Sequence, residues 1–301
     1  MSLKYAAVEG GGTTWVAAIC EDRPDNIIDS IEIETTTPVE TLTKIKEWLL
    51  TKEFVSIGIA SFGPIDAKPN SPKFGYITST PKPNWGWTDV LGGLGLRDVF
   101  KNIPFHFDTD VNAPAMAEFT SCSGTGLTSC AYITVGTGVG VGLVINSKTV
   151  HGLVHPEAGH LQVKLKDNDT FKGSCPFHGT CIEGMVSAGA CAKRKGIDPS
   201  ELKSLSDDDE VWDFFAYYLA QLCVSIILMV SAEKIVIGGG VMNRESLYPK
   251  IRDYTVTILN NYIQHDDVTN VTSSLIGPSI YGSRAGLVGA AFLAYNTYNN
   301  K

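Results

Sequence analysis

Positive charge is scarce in this chain of 301 residues. Its 24 basic residues stand against 32 acidic ones, for a net charge of −8. That balance disfavours nucleic acid or an anionic membrane as the main partner. Charged residues reach only 19% and hydrophobic ones 44%, which excludes disorder, collagen and coiled coil as the main architecture. The opening MSLKYAAVEGGG lacks an apolar stretch long enough for a secretory signal. The seven cysteines are odd in number, so thiols or metal ligands in a reducing, cytoplasmic setting are expected rather than disulfides. The longest apolar run, Val211 to Val230, contains Asp213 and Gln221 and follows three aspartates without basic flanks. It reads as a buried core helix rather than a membrane span.

Two nucleotide-binding strings are also missing. No G-x-x-x-x-G-K-[ST] occurs, so there is no P-loop. Gly136, Gly138, Gly140 and Gly142 alternate but lead into the strand-like LVI, which argues against a dinucleotide fingerprint. What the chain does have is glycine, 30 residues, much of it in three clusters. Residues 5–19, YAAVEGGGTTWVAAI, and residues 132–145, YITVGTGVGVGLVI, each read as strand, Gly/Thr turn and strand. Two matched hairpins predict a duplicated domain whose halves clasp a nucleotide's phosphates, because glycine N–H groups can approach phosphate closely. The third cluster, EKIVIGGGVMN at 233–243, reads as strand, Gly turn and then helix, suited to a nucleoside and its α-phosphate. The plainer alternative, that these glycines only make tight turns, loses ground when all three occur together.

FHFDTDVNAPAMAE at 105–118 places Asp108, Asp110 and Asn112 at the end of an apolar strand. A hydroxyl attacking phosphorus needs a carboxylate to orient it and take its proton, and Asp110 or Asp108 could serve. Their spacing of two puts both on one strand face, where they could share Mg²⁺. The competing structural role is a helix N-cap at Asn112. Trp85 and Trp87, after a proline-rich loop, are expected either over a sugar or at a subunit contact.

Cys175, His178 and Cys181 stand at C-x2-H-x2-C spacing, with His160 upstream and His151 and His155 as competing fourth ligands. A closed Cys2His2 set suits a structural tetrahedral Zn²⁺. Glu157 and Glu183 on the same loop could accept hydrogen bonds from a polyhydroxylated ligand.

These motifs together resemble the ROK family of sugar kinases and repressors, from about Tyr5 to Ala294. EGGGTTWVAAI is similar to the family's first phosphate motif and TVGTGVGVGLV to the second. TDVNAPAMAE resembles its catalytic block, and HPEAGH with CPFHGTCIEG its zinc and sugar signature. IVIGGGVM resembles its adenosine motif and GSRAGLVGAA its terminal helix. Glu9, IASFGPID, GYITSTPKPNW, DTDVN and the knuckle are most like its bacterial-type fructokinases.

The resemblance implies an α/β, actin-like ATPase fold of duplicated domains with an interdomain cleft. One subdomain would take residues 1–113 plus 286–301, and the other, carrying the zinc loop, residues 114–285. It implies ATP, Mg²⁺, D-fructose and a cytoplasmic homodimer. Asp110 would be the general base and Asn112 its support. Glu157, His160 and Glu183 would contact sugar, with His160 also on zinc beside Cys175, His178 and Cys181. Gly11, Gly12, Thr13, Thr137 and Gly138 would hold phosphates, and Gly239 and Gly240 would lie against the nucleotide. One departure stands out: many relatives carry lysine after the first G-G-T, where this chain has Thr14 and then Trp15. The rival readings are a kinase for mannose, glucose or an N-acetylated amino sugar, a sugar-sensing repressor, and a zinc hydrolase. The repressor is disfavoured because the glycine motif begins by Glu9, ahead of which a helix-turn-helix is expected.

Overall fold

A computed structural model describes residues 2–299. Contacts divide the chain into two units, residues 1–121, 147–156 and 284–301 in the first, and residues 122–146 and 157–283 in the second. The segment 147–156, read from sequence as part of the second domain, therefore belongs with the first, as does the whole helix Asn112–Ser121.

In the first unit, the strands Lys4–Gly10 and Thr14–Glu21 form the expected antiparallel hairpin, continued by the antiparallel strand Ile27–Glu34. On its other side Lys4–Gly10 pairs in parallel with Ser56–Ser61, which pairs in parallel with Phe105–Thr109. Every residue of Ser56–Ser61 is buried, as a central parallel strand requires. The helix Pro38–Leu50 starts where Thr37 caps it and proline occupies its first turn, and Thr41, Leu42, Ile45 and Leu49 form its buried stripe.

The helix Ala285–Asn299 lies so close to this sheet that side chains are excluded. A β-carbon on Gly58 would stand 2.0 Å from the Ala290 carbonyl oxygen. The Ser56 hydroxyl donates to the Ala294 carbonyl at 2.8 Å. Trp85 is core rather than a lid: it is fully buried, stacks on Trp15 at 5.3 Å, and donates its indole N–H to the Thr36 carbonyl. Trp87 is exposed, with the Lys73 ammonium over its ring.

The second unit repeats the plan. Ser129–Val135 and Val139–Ile145 form the second antiparallel hairpin. Ile235–Gly238 pairs in parallel with the first of these strands, and Ile276–Pro278 in parallel with Ile235–Gly238. The helix Val211–Val230 is long and apolar enough to cross a membrane, yet twelve of its twenty residues are buried, among them Trp212, Phe215, Leu219 and Ile227 of the second core. The third glycine cluster gives the expected strand, turn and helix, with a short turn of another kind between them. Gly240–Asn243 forms a 3₁₀ turn, and the helix begins only at Leu247. The Gly239 backbone at φ +92° turns away from the helical region and delays it.

Cys20, Cys130, Cys191 and Cys223 are buried. Burial pushes the thiols of Cys20 and Cys223 up to about 12 and that of Cys191 to about 11.

Because Gly58 faces backbone, which cannot swing aside, Gly58→Ala should lower the stability of the first unit by at least about 2 kcal/mol. Chemical denaturation of the variant checks this, and an unchanged midpoint would contradict the helix position.

Candidate active site and metal centre

Register aligns the ends of the three parallel strands in the first unit: Gly10 is opposite Ser61, and Ser61 opposite Thr109. Catalytic groups collect at such carboxyl ends. Just beyond them lie the Gly11–Gly12–Thr13 turn and Asp110. The Asp110 N–H donates to the Ser61 carbonyl at 3.0 Å. Gly12 and Thr13 are exposed. Thr35, which sequence reasoning missed, braces this turn: its hydroxyl donates to the Gly11 carbonyl and its N–H to the Thr13 carbonyl, each at 2.8 Å.

Asp108 and Asp110 do not share a strand face. The strand ends at Thr109, and Asp110 sits in the turn before the helix Asn112–Ser121. Asp108 is fully buried, and its carboxylate accepts from the Thr109 N–H at 2.7 Å, the Asn112 amide at 2.9 Å and the His151 Nε2 at 3.1 Å. The His106 Nε2 lies 3.8 Å away. Burial alone would raise this carboxyl, but the His106 and His151 imidazoles beside it outweigh burial and hold it well below the usual carboxylate range. Such an enclosed anion is not available to share Mg²⁺ with Asp110. Asn112 is no N-cap either, because it is the first residue of the helix; its side-chain amide donates to Asp108, and the Thr109 hydroxyl accepts its N–H at 2.9 Å.

Glu9 faces the negative charge of Asp110. Burial and that charge push its carboxyl up to about 7, opposed by an N–H from Leu287 at the start of the terminal helix. A β-carbon on Gly286 would stand 1.9 Å from Glu9 Oε1, so glycine there lets the carboxylate reach the helix end.

In the second unit, His160, Cys175, His178 and Cys181 offer four ligand atoms within 4.8 Å of one another. His160 Nδ1 lies 3.8 Å from Cys175 Sγ and 3.6 Å from Cys181 Sγ, and His178 Nδ1 lies 3.7 Å from Cys175 Sγ. A tetrahedral ion with bonds of about 2.3 Å to sulfur and about 2.0 Å to nitrogen needs sulfur–nitrogen edges of about 3.5 Å. The donor set therefore fits such a metal. The competing histidines lie elsewhere, His151 on Asp108 and His155 against Gly63 in the first unit. Gly173 and Gly184 shape the knuckle, since a β-carbon on either would stand 1.9 Å from the Gly179 carbonyl oxygen.

The same loop is pressed onto the second hairpin. A β-carbon on Gly159 would stand 1.9 Å from the Val139 carbonyl oxygen. The turn bearing the exposed Glu157 and His160 thereby sits on the strand that follows Thr137 and Gly138. Glu183 Oε2 accepts from the Val139 N–H at 3.1 Å, and a β-carbon on Gly138 would stand 2.6 Å from that oxygen. The Ala188 N–H donates to the Gly136 carbonyl at 2.8 Å, a second support that sequence reasoning missed. Gly239 packs its α-carbon against Val135, where a β-carbon would meet the carbonyl oxygen at 2.4 Å, while Gly240 is exposed with nothing near.

The Glu9 shift carries a stability signature. The folded state holds its proton up to about pH 7, whereas an unperturbed carboxyl releases it near 4.5. Its contribution to stability is therefore full below pH 4.5 and lost as pH rises to about 7. Glu9→Gln should flatten this decline and raise the melting temperature at pH 8 relative to wild type. Parallel curves for the two proteins from pH 5 to 8 would contradict the placement of Glu9.

Comparison with known proteins agrees with this geometry. The ROK family model matches residues 5–297. A fructokinase of Pediococcus pentosaceus is 38% identical over 294 residues, covering 98% of each chain. A putative fructokinase of Bacillus subtilis is 38% identical over 288 residues, covering 96% of this chain and 94% of its own. Among solved structures, a ROK hexokinase from Thermus thermophilus superposes with a TM-score of 0.75 at 20% identity, covering 99% of this chain and 100% of its own. The paired hairpin-and-parallel sheets are thus the actin-like ATPase fold, and with a family match spanning nearly all its length the chain belongs to the ROK family.

Proposed function

We propose that this protein is a fructokinase, transferring the γ-phosphoryl group of ATP to D-fructose to give fructose 6-phosphate. The observation that carries the reading is the near-full-length identity with fructokinases, joined to an acidic turn at the strand ends where such chemistry needs a base. Asp110 accepts the proton of the sugar's primary hydroxyl as phosphorus is attacked. Asn112 supports it by fixing the turn through Asp108. Glu157, His160 and Glu183 orient the sugar, and charge-assisted hydrogen bonds to vicinal hydroxyls suit carboxylates to that task. Gly11, Gly12 and Thr13 with Thr137 and Gly138 donate to phosphates, and Gly239 and Gly240 lie against the nucleoside. Mg²⁺ arrives with ATP and offsets phosphate charge, the more so because Thr14 stands where many relatives carry lysine.

The closed Cys2His2 set suits zinc in a structural role, with no position left for a catalytic water. Its work is to hold Glu157 and Glu183 rigidly, which phosphoryl transfer chiefly requires. A cytoplasmic homodimer remains what the family resemblance implies.

The first test is ADP release from ATP·Mg²⁺ with fructose, mannose, glucose and N-acetylglucosamine, each against a blank without sugar. A strong fructose preference is expected. Another preferred hexose would correct the pocket alone, and no sugar-dependent release from folded, zinc-replete protein would end the kinase reading. Asp110→Asn should lower turnover by roughly 10²-fold or more with sugar binding retained, and unchanged turnover would remove Asp110 from the role of base. Elemental analysis should find one zinc per chain, lost on Cys181→Ser together with sugar affinity rather than with ATP binding.

A further inference from the structure

Resting on the fructokinase reading above, we infer that His151 is a positioning residue for Asp110: from the surface it closes a knot with the buried Asp108 and Asn112 that fixes the turn carrying the base. The knot is compact. His151 Nε2 lies 3.1 Å from the Asp108 carboxylate and 3.4 Å from the Asn112 amide nitrogen, and that amide donates to Asp108 at 2.9 Å. Asp108 is the next-to-last residue of the strand and Asn112 begins the helix, so both flanks of the Asp110–Val111 turn are tied to one buried anion.

Two of the three members come from the same short stretch of chain. Without His151 their mutual hydrogen bond leaves a carboxylate oxygen in the protein interior short of a donor. An enclosed anion missing a donor draws in water or shifts to find one, and the turn between its neighbours shifts with it. His106 does not replace the lost donor, because its Nε2 stands at 3.8 Å and its side chain is 46% exposed.

His151 belongs to the segment 147–156, which packs with the first unit. The charged and titratable groups facing it in the first unit are Asp108, which raises its pKa by hydrogen bonding, and His106 on the same carboxylate.

The test compares His151→Gln with His151→Leu. Gln can present an amide N–H near the place of Nε2, whereas Leu fills space without a donor. For Leu we expect kcat with fructose to fall roughly 10²-fold, the penalty of a base displaced by about 1 Å, with the KM for ATP and the zinc content unchanged. For Gln we expect recovery to within about tenfold of wild type. Equal kcat in the two variants would overturn the inference. Should His151→Leu fail to fold, His151→Asn takes its place, since its amide is one methylene too short for Asp108, and equality with Gln again overturns it.

A measurement independent of turnover separates this from failure of the kinase reading. The imidazole of His151, assigned in proton NMR by its absence from the Gln variant, should titrate above the ordinary histidine midpoint. An unshifted midpoint would show that His151 does not engage Asp108, whatever the enzyme's substrate.

Discussion

A β-carbon at position 159 would overlap the Val139 carbonyl oxygen, and that exclusion organises the second unit. Contact of backbone on backbone brings the Cys/His loop down onto the second hairpin, and Glu183 then reaches the Val139 N–H. Gly184 repeats the condition against the Gly179 carbonyl oxygen. None of these contacts tolerates a side chain, and none needs a long-range charge. The site is built first by clearance, and polar groups are added where clearance permits.

The first unit follows the same logic with different pieces. Gly58 lets the terminal helix settle on the sheet, and Gly286 at that helix's start admits Glu9. The helix end in turn supplies an N–H to a carboxylate that stands beside another acid. Asp108 shows the opposite solution to acidic crowding. It is enclosed and saturated with donors, so it stays charged, while Glu9 is driven to hold its proton near neutrality. Two acids a few residues from Asp110 in space thus answer to opposite physical terms, hydrogen bonding for one and burial for the other.

Much of this was legible in the chain because the chemistry is local. Both glycine hairpins, the Thr37–Pro38 helix start and the strand ending near Asp108 announce themselves within a dozen residues each. The Cys175–Cys181 knuckle does so as well, and His160 follows from the need for a fourth ligand. What escaped was long-range. Thr35 bracing Gly11 depends on how a third strand returns, and His151 reaching Asp108 spans 43 residues. Asn112 reads as a cap because it stands at a helix start, yet the helix already includes it, and its amide N–H donates to a buried anion four residues back. The helix after the third glycine cluster was legible from its apolar spacing, while the 3₁₀ turn at Gly240–Asn243 before it was not. Trp85, placed by its neighbours in a proline loop, belongs to the core because Trp15 offers it a stacking face.

The distribution of sulfur has a consequence for how the molecule ages. Cys20, Cys191 and Cys223 are buried with thiols pushed far above neutrality, so almost none of each is thiolate and oxidants find little to attack. Cys175 and Cys181 differ in that a metal ion would bind them only as thiolates. With an ion in place, an oxidant would meet thiolate at the knuckle, beside the turn seated on Val139. Loss of the ion there would loosen that turn while leaving both hydrophobic cores untouched.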